Sequence, residues 1–393
     1  MNLFRVNNFK HMIFKIILIL LIVSIILNPS LALNSARDGL NTWFNILLPS
    51  LLPFFILSEL FIASGFVETF GRLLQPIMKP IFNVPGPSAF PLIMGIISGY
   101  PVGAKLSSRL RENGIISKIE GDRLITFSST SGPLFMLGAV LVGMLGNPNL
   151  RSMLLLPHYM SILTIGVLFR FYRANSKDSL NPSKDIFSIK KRENIPLSKL
   201  LANSVVESMN SIFLVGGFVI FYNVIIELLL ASKFTNYILL KIAKHLSINS
   251  SIVEGIFSGF IELTTGCKKI SQLNIDLFHK ILILNFLIAW GGLSILSQTT
   301  GFISQTDLNV SLYIFSKLLH GLISCIYTYI LYSIGFYRHI KTLSIDVFIM
   351  EENQSLSQWI YTFVNSTKSA MAICIFFIIL SIFVHQLWNK KEA

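Results

Sequence analysis

Two stretches of the chain set hydroxyl side chains, glycine and proline inside apolar sequence. They are Gly95–Lys105, GIISGYPVGAK, and Phe127–Gly138, FSSTSGPLFMLG. In hydrocarbon an unpaired backbone amide costs several kcal/mol, so interrupted backbone persists only where protein encloses it or where it lines a cavity. Gly132-Pro133 follows Ser128, Ser129, Thr130 and Ser131. Proline favours the first helical position, and the hydroxyls before it can cap. A half-helix starting at Pro133 presents free N–H groups and a positive dipole end, which suits carboxylate or phosphate. The competing reading is a proline-kinked span whose hydroxyls bond the freed carbonyls. In the other stretch Gly99 and Gly103 allow close backbone approach to a ligand, and Ser98 and Tyr100 offer hydroxyls. A tight turn that merely packs helices fits the same residues. Lys105 either draws an anion or snorkels to the interface.

The acids in apolar surroundings are the next candidates. Glu59 lies in LLPFFILSELF, Glu227 in VIIELLL, and Glu262 in GFIELTTGC. A charge at the bilayer centre costs about 2.5–3.5 kcal/mol on insertion scales, which turns each acid toward the protein interior. Glu59 and Glu227 read as coupling acids, as an ion pair holding the fold, or as residues near a helix end reaching headgroups. Glu262, with Thr264, Thr265 and Gly266, is the acid best placed for a substrate or ion site. Trp290-Gly291-Gly292 is a further break, its tryptophan a packing anchor or a substrate platform.

The remaining inventory excludes several classes. Cys267, Cys325 and Cys374 are far apart, no CxxC or HExxH occurs, and no Walker loop is present, so no metal, cofactor or catalytic residue is expected. No GxSxG elbow surrounds the serine run. The net charge of +13 is scattered through polar gaps, without the basic–aromatic interleaving of a nucleic-acid surface.

The elements that must position these residues are membrane helices. The 393 residues are 53% hydrophobic and 13% charged, against about 25% charged for a soluble domain, and mean hydropathy is +0.67. Residues 1–34 form an anchor helix around Ile16–Leu27 or a signal peptide ending near Ser30-Leu31-Ala32. Leu40–Ser64 spans, bent at Pro49 and Pro53. Pro85–Ala104 is a re-entrant hairpin, and Leu124–Gly146 and Ser152–Tyr172 are spans. Arg173–Lys199 is a basic cytoplasmic linker. Spans follow at Ser204–Leu230, Lys280–Gly301, Leu312–Ile334 and Ser369–Trp388, with a second re-entrant element at Ser251–Gly266 and a polar segment, Gly335–Thr367, before the last. The expected fold is all-α, a polytopic helix bundle of about eight spans plus two re-entrant hairpins.

A weak internal repeat links residues 35–172 to 200–334, leaving 335–393 as an appended polar segment and helix. Ser35, Asp38, Asn41 and Phe44 fall on Ser204, Glu207, Asn210 and Phe213. Gly103 and Lys105 fall on Gly266 and Lys268, and Phe127 and Gly132 on Phe286 and Gly291. The span count gives the halves opposite orientation, a plan recurrent in secondary transporters. Lys241, Lys244, Lys268 and Lys269 then fall outside, against the usual charge bias.

PSLLPFFILSELFIASG (Pro49–Gly65), FPLIMGIISGYPVGAKLSSRL (Phe90–Leu110) and LITFSSTSGPLFMLGAVLVGML (Leu124–Leu145) resemble the YlbJ family of sporulation integral membrane proteins. That family is similar to the Gate, or nucleoside-recognition, membrane proteins and distantly to concentrative nucleoside transporters. The resemblance runs from about Leu40 to Ile334 and is looser in the second half. It implies a protein of the outer forespore membrane, or the cell membrane, of an endospore-former, with a part in delivering dipicolinic acid (pyridine-2,6-dicarboxylate). The expected partners are a small anionic substrate, the lipid bilayer and, as a homo-oligomer, further copies of the chain; nucleic acid is not among them. A nucleoside-like solute and a non-transporting scaffold for spore-envelope assembly stand as alternatives.

Overall fold

The computed structural model describes residues 2–64, 74, 76–174 and 196–336. All regular structure among them is helical. Helix α1 is Asn2–Leu27 and α2 is Pro29–Thr42. A π-helical stretch, Trp43–Leu47, joins α2 to α3, Leu48–Ser64. The π stretch lies just before Pro49, and Pro53 follows inside α3. A wider turn here accommodates prolines that remove N–H donors and crowd the carbonyls four residues back.

Next come α4, Pro76–Phe82, and α5, Ala89–Ser98, bent by 89° across the intervening break. Helices α6, Val102–Glu112, and α7, Lys118–Ser128, follow, then a π-helix, Phe135–Met144, and α8, Arg151–Phe169. The second half holds α9, Leu197–Ala231; α10, Lys233–Leu246; α11, Ser250–Ile261; and α12, Leu263–Gln272. It ends with α13, Leu277–Trp290; α14, Gly292–Ile303; and α15, Val310–Ser333.

Five helices or helix pairs among the described residues are long and apolar enough to cross a membrane: Pro29–Leu57, Arg151–Phe169, Ser198–Ala231, Leu277–Ile303 and Val310–Ser333. The bent α4–α5 pair makes a sixth if it counts as one span. About eight spans are expected from sequence, and the differences are local. Leu124–Gly146 is divided between α7 and the π-helix, each too short to cross alone. The apolar part of α1 is Lys15–Leu27, only 13 residues. The Ser369–Trp388 segment and most of the Arg173–Lys199 linker and Gly335–Thr367 lie outside the described residues, as do residues 65–73.

Packing divides the chain differently from its sequence halves. One compact unit comprises the described residues of Met1–Leu60, Pro133–Gly146 and Ile195–Gln298. The other comprises those of Phe61–Gly132, Asn147–Asn194 and Thr299–Ala393. In the first, Trp43, Leu47, Leu51, Ala139, Ile212 and Val219 form an apolar core, and the Trp43 indole donates to the Ile212 carbonyl at 2.9 Å. Asn223 donates to the Ser35 carbonyl at 2.7 Å, tying α9 to α2. In the second, Met78, Phe82, Leu92, Leu124, Phe127, Ile162 and Ile165 are buried together, and the Phe82 and Phe127 rings stack at 4.7 Å. Its polar ends are tied as well. The Arg123 guanidinium donates to the Asn83 and Tyr172 carbonyls, and Asp122 accepts from the Asn309 amide at 2.8 Å at the start of α15.

Candidate functional site

In the second unit α5 and α6 form a hairpin of two short arms, 10 and 11 residues, far below the roughly 20 needed to cross a bilayer. The first arm ends because Gly99 takes φ +76°, a conformation open to glycine at little cost. A cis Tyr100–Pro101 bond follows, and α6 starts at Val102. The arms close on the last carbonyl of α7: a Cβ on either Gly95 or Gly103 would overlap the Ser128 oxygen. A Cβ on Gly99 would stand 2.7 Å from the Gly132 nitrogen. The hairpin tip thus meets the break after α7 backbone to backbone.

The broken segment itself is enclosed. Ser128, Ser129 and Thr130 are fully buried, and Ser131 almost so. Ser128 Oγ bonds Ser107 Oγ at 2.9 Å, and Ser129 Oγ bonds the Tyr313 hydroxyl at 3.2 Å. Thr130 Oγ1 lies 2.7 Å from His158 Nε2, which also accepts from the Ser131 amide at 3.3 Å. The Tyr159 hydroxyl donates to the Ser131 carbonyl at 3.2 Å. The Ser129 carbonyl accepts from the ammonium of Lys317.

Two helices deliver these partners. On α15, Tyr313, Ser316, Lys317, His320, Ser324 and Thr328 are all buried, one polar stripe at three- and four-residue spacing along an otherwise apolar helix. Their burial among protein keeps the polar stripe out of lipid, as an intramembrane charge requires. Helix α8 adds His158 and Tyr159 beside Pro157. The two imidazoles sit 4.6 Å apart, and His320 Nε2 bonds the His158 carbonyl at 3.1 Å. The Lys317 ammonium lies 5.0 Å from the centre of the Tyr100 ring and 5.8 Å from that of Tyr313, in cation–π range. No carboxylate of the described residues lies within 4.0 Å of it.

In the first unit α11 and α12 make a hairpin of 12 and 10 residues. Gly266 packs against Gly259, with a Cβ there overlapping the Gly259 backbone. The break is Glu262, in extended conformation and 3% exposed. Its carboxylate turns back onto the helix it starts, Oε1 accepting from the Thr264 amide at 3.0 Å and Oε2 from the Thr265 amide at 2.6 Å. A Cβ on Gly292 would stand 2.9 Å from the Leu263 nitrogen, so this hairpin tip too meets a broken helix, the junction of α13 and α14. Trp290 donates to the Phe260 carbonyl at 3.1 Å and packs on its ring, the arrangement of an anchor.

The predicted site residues therefore fall into two groups. Ser98, Gly99, Tyr100, Gly103 and Ser128–Gly132 come together in one unit. Glu262, Thr264, Thr265 and Gly266 come together in the other, with the acid acting as a helix cap. Glu227 forms an ion pair with Lys269 at 2.5 Å. Glu59 is half-buried on α3. Lys105 lies over the Phe302 ring at 5.6 Å.

Lys317, His158, His320 and Tyr313 are not among the residues the sequence motifs select. The signal is present as a single lysine in a 24-residue apolar helix, with a histidine three residues on. No group of three or more potential metal ligands occurs among the described residues.

A family model described as Gate, nucleoside recognition, matches residues 44–148. The curated protein "Sporulation integral membrane protein YlbJ" of Bacillus subtilis (strain 168) is 34% identical over 347 residues, covering 84% of this chain and 84% of that protein. No solved structure matches the chain.

Proposed function

The chain belongs to the YlbJ family of sporulation integral membrane proteins, and on that premise we propose that it carries a small carboxylate across a membrane of the sporulating cell. Pyridine-2,6-dicarboxylate is the leading candidate solute, and the outer forespore membrane the setting.

The observation that carries this reading is the meeting of broken helices. In the second unit the Gly99–Pro101 tip packs on the Ser129–Gly132 break, and together they enclose hydroxyls, imidazoles and an ammonium in an apolar setting. Irregular backbone around polar groups in a chain of membrane helices is the arrangement in which transporters hold solutes.

The order of elements supports a repeated plan. Hairpin α5–α6, helix α7, a break, the π-helix and α8 correspond in order to hairpin α11–α12, α13, a break, α14 and α15. Gly103 and Gly266, paired by sequence, each lie in the first turn or so of the second arm of a glycine-packed hairpin. We take residues 35–172 and 200–334 as the two repeats, inverted with respect to each other.

The test is uptake of labelled pyridine-2,6-dicarboxylate into proteoliposomes holding the purified full chain. Accumulation above empty vesicles under a proton, sodium or solute gradient supports the reading, and none under any gradient overturns it. The Gate match favours one second reading, a nucleoside-like solute. Competition by nucleosides in the same assay would select it.

A further inference from the structure

The two hairpins differ at the first turn of their second arm. In α12 the amides of Thr264 and Thr265 are held by the Glu262 carboxylate. In α6 the amides at the same distance from the helix start belong to Gly103 and Ala104, both residues buried. Val102 N bonds the Gly99 carbonyl and Lys105 N the Pro101 carbonyl, but Gly103 N and Ala104 N have no partner among the described residues. The residue at the capping position is Pro101, which has no side-chain acceptor. Buried backbone donors are paired in the great majority of folded structures, so two adjacent open ones call for an acceptor.

A second feature of the same unit calls for negative charge. Lys317 is fully buried and, among the described residues, has a single hydrogen-bond acceptor, the Ser129 carbonyl, for three donor hydrogens. Its ammonium rests on the ring of Tyr100, the residue just before Pro101. An unpaired charge in such surroundings is costly unless another ion joins it. His158 adds to this. Its Nε2 accepts from the Ser131 amide, which places the ring proton on Nδ1, and buried Nδ1 has no partner among the described residues.

We propose that the second unit holds a carboxylate-recognition site in which a ligand carboxylate takes, on the Gly103 and Ala104 amides, the place that Glu262 takes on α12, with Lys317 supplying the countercharge. This deepens the transporter reading and rests on it. The amides give the site its geometry, and the lysine makes it select an anion over a neutral solute of the same shape.

The experiment compares pyridine-2,6-dicarboxylate with its neutral diamide, pyridine-2,6-dicarboxamide, by binding to the purified full chain and by uptake into proteoliposomes. Wild-type protein is expected to prefer the dicarboxylate. Lys317→Gln, which keeps a donor for the Ser129 carbonyl, should cut that preference by about 10- to 100-fold, the range of a lost charge-assisted contact. Its binding of the diamide should fall by much less than its binding of the dicarboxylate. A lysine that only braces the broken segment would weaken both ligands alike and leave their ratio unchanged.

An unchanged ratio in a folded Lys317→Gln protein overturns the lysine assignment while leaving dicarboxylate transport standing. A wild-type protein that binds the diamide as well as the dicarboxylate overturns the assignment without any variant, should Lys317→Gln fail to fold. Wild-type protein that binds neither, while nucleosides are taken up, overturns this proposal and the carboxylate reading together.

Discussion

In the α11–α12 hairpin the break in the helix is closed by Glu262, whereas in the α5–α6 hairpin Pro101 stands at the same place with no side-chain acceptor. The arms are of similar length, both pairs pack through glycine, and both tips meet a second broken helix. What separates them is where the charge sits. One hairpin carries its own anion on its own helix start. The other leaves two amides open and has a buried cation on a neighbouring helix, α15. A self-capped hairpin is complete as folded; the open one is complete only when something with an acceptor arrives. On the proposal above, one hairpin is structural and the other recognises the solute.

The comparison is broken most severely at its glycines. Gly103→Val would drive a side chain into the Ser128 carbonyl oxygen, which is backbone and has no rotamer to yield. A loss of about 3 kcal/mol or more is expected, the upper end of overpacking costs, seen as failure to purify a monodisperse folded protein. A milder substitution in the other hairpin, Gly259→Ala, meets the Leu287 side chain first, at 2.5 Å. A flexible terminus can move, so about 1–2 kcal/mol is expected, seen as a lowered melting temperature in detergent. Equal losses would show that the Leu287 side chain cannot yield.

Glu262→Ala comes next. It removes the acceptor of two amides and should cost about 1–2 kcal/mol, as a lost cap does, again read by melting temperature. Transport by the protein that remains folded should persist, because the carboxylate is spent on its own helix. Lost uptake at unchanged melting temperature would move Glu262 from cap to substrate contact and erase the contrast with Pro101.

How much of this is legible in the sequence follows from what each signal depends on. The hairpins are readable because glycine and proline inside apolar runs have few other uses at membrane depth; those expected at Pro85–Ala104 and Ser251–Gly266 appear as helix pairs whose second arms run on to Glu112 and Gln272. The half-helix after Pro133 is readable in position, although it winds as a π-helix. The role of Glu262 is not, since a carboxylate two residues before Thr264 looks the same whether it faces a ligand or turns back on its own amides. Ser128–Ser131 stand out in the sequence as polar groups needing partners, but only the fold shows that Tyr313, His158, Tyr159 and Ser107 supply them. Lys317 escapes because its partner in the broken segment lies 188 positions away in sequence. Motif reading works along the chain, and this cluster exists only across it. A rule weighing each ionisable residue inside an apolar span would find it.

Two ion pairs mark the smaller effects. Glu227 and Lys269 meet at 2.5 Å with side chains 29% and 28% exposed, joining α9 to the self-capped hairpin. Lys269→Met should cost about 1 kcal/mol, read as a drop in melting temperature. Glu227→Gln in that background should add little further loss, as expected when the acid's main partner is already gone. Additive losses would mean the two side chains act separately and would leave the hairpin held by its glycines and cap alone.

On the open hairpin the corresponding tie is Arg111, near the end of α6, which grips Asp307 in the loop before α15 with two bonds of 2.8 and 2.9 Å. The Arg111 contact holds the Asp307 carboxyl below the usual carboxylate range. A depressed carboxyl stabilises the fold above its ordinary range, and that contribution disappears as pH falls through its lowered value. Wild-type protein should therefore lose part of its stability as pH falls below about 4, where an unperturbed Asp protonates. Asp307→Asn should remove that part of the pH dependence and cost no more than about 1 kcal/mol at neutral pH, because an exposed pair is screened by solvent. Melting temperatures of the two proteins measured from pH 7 to pH 3 should converge at the acid end. Curves that stay parallel would show that Asp307 adds nothing to stability through its charge.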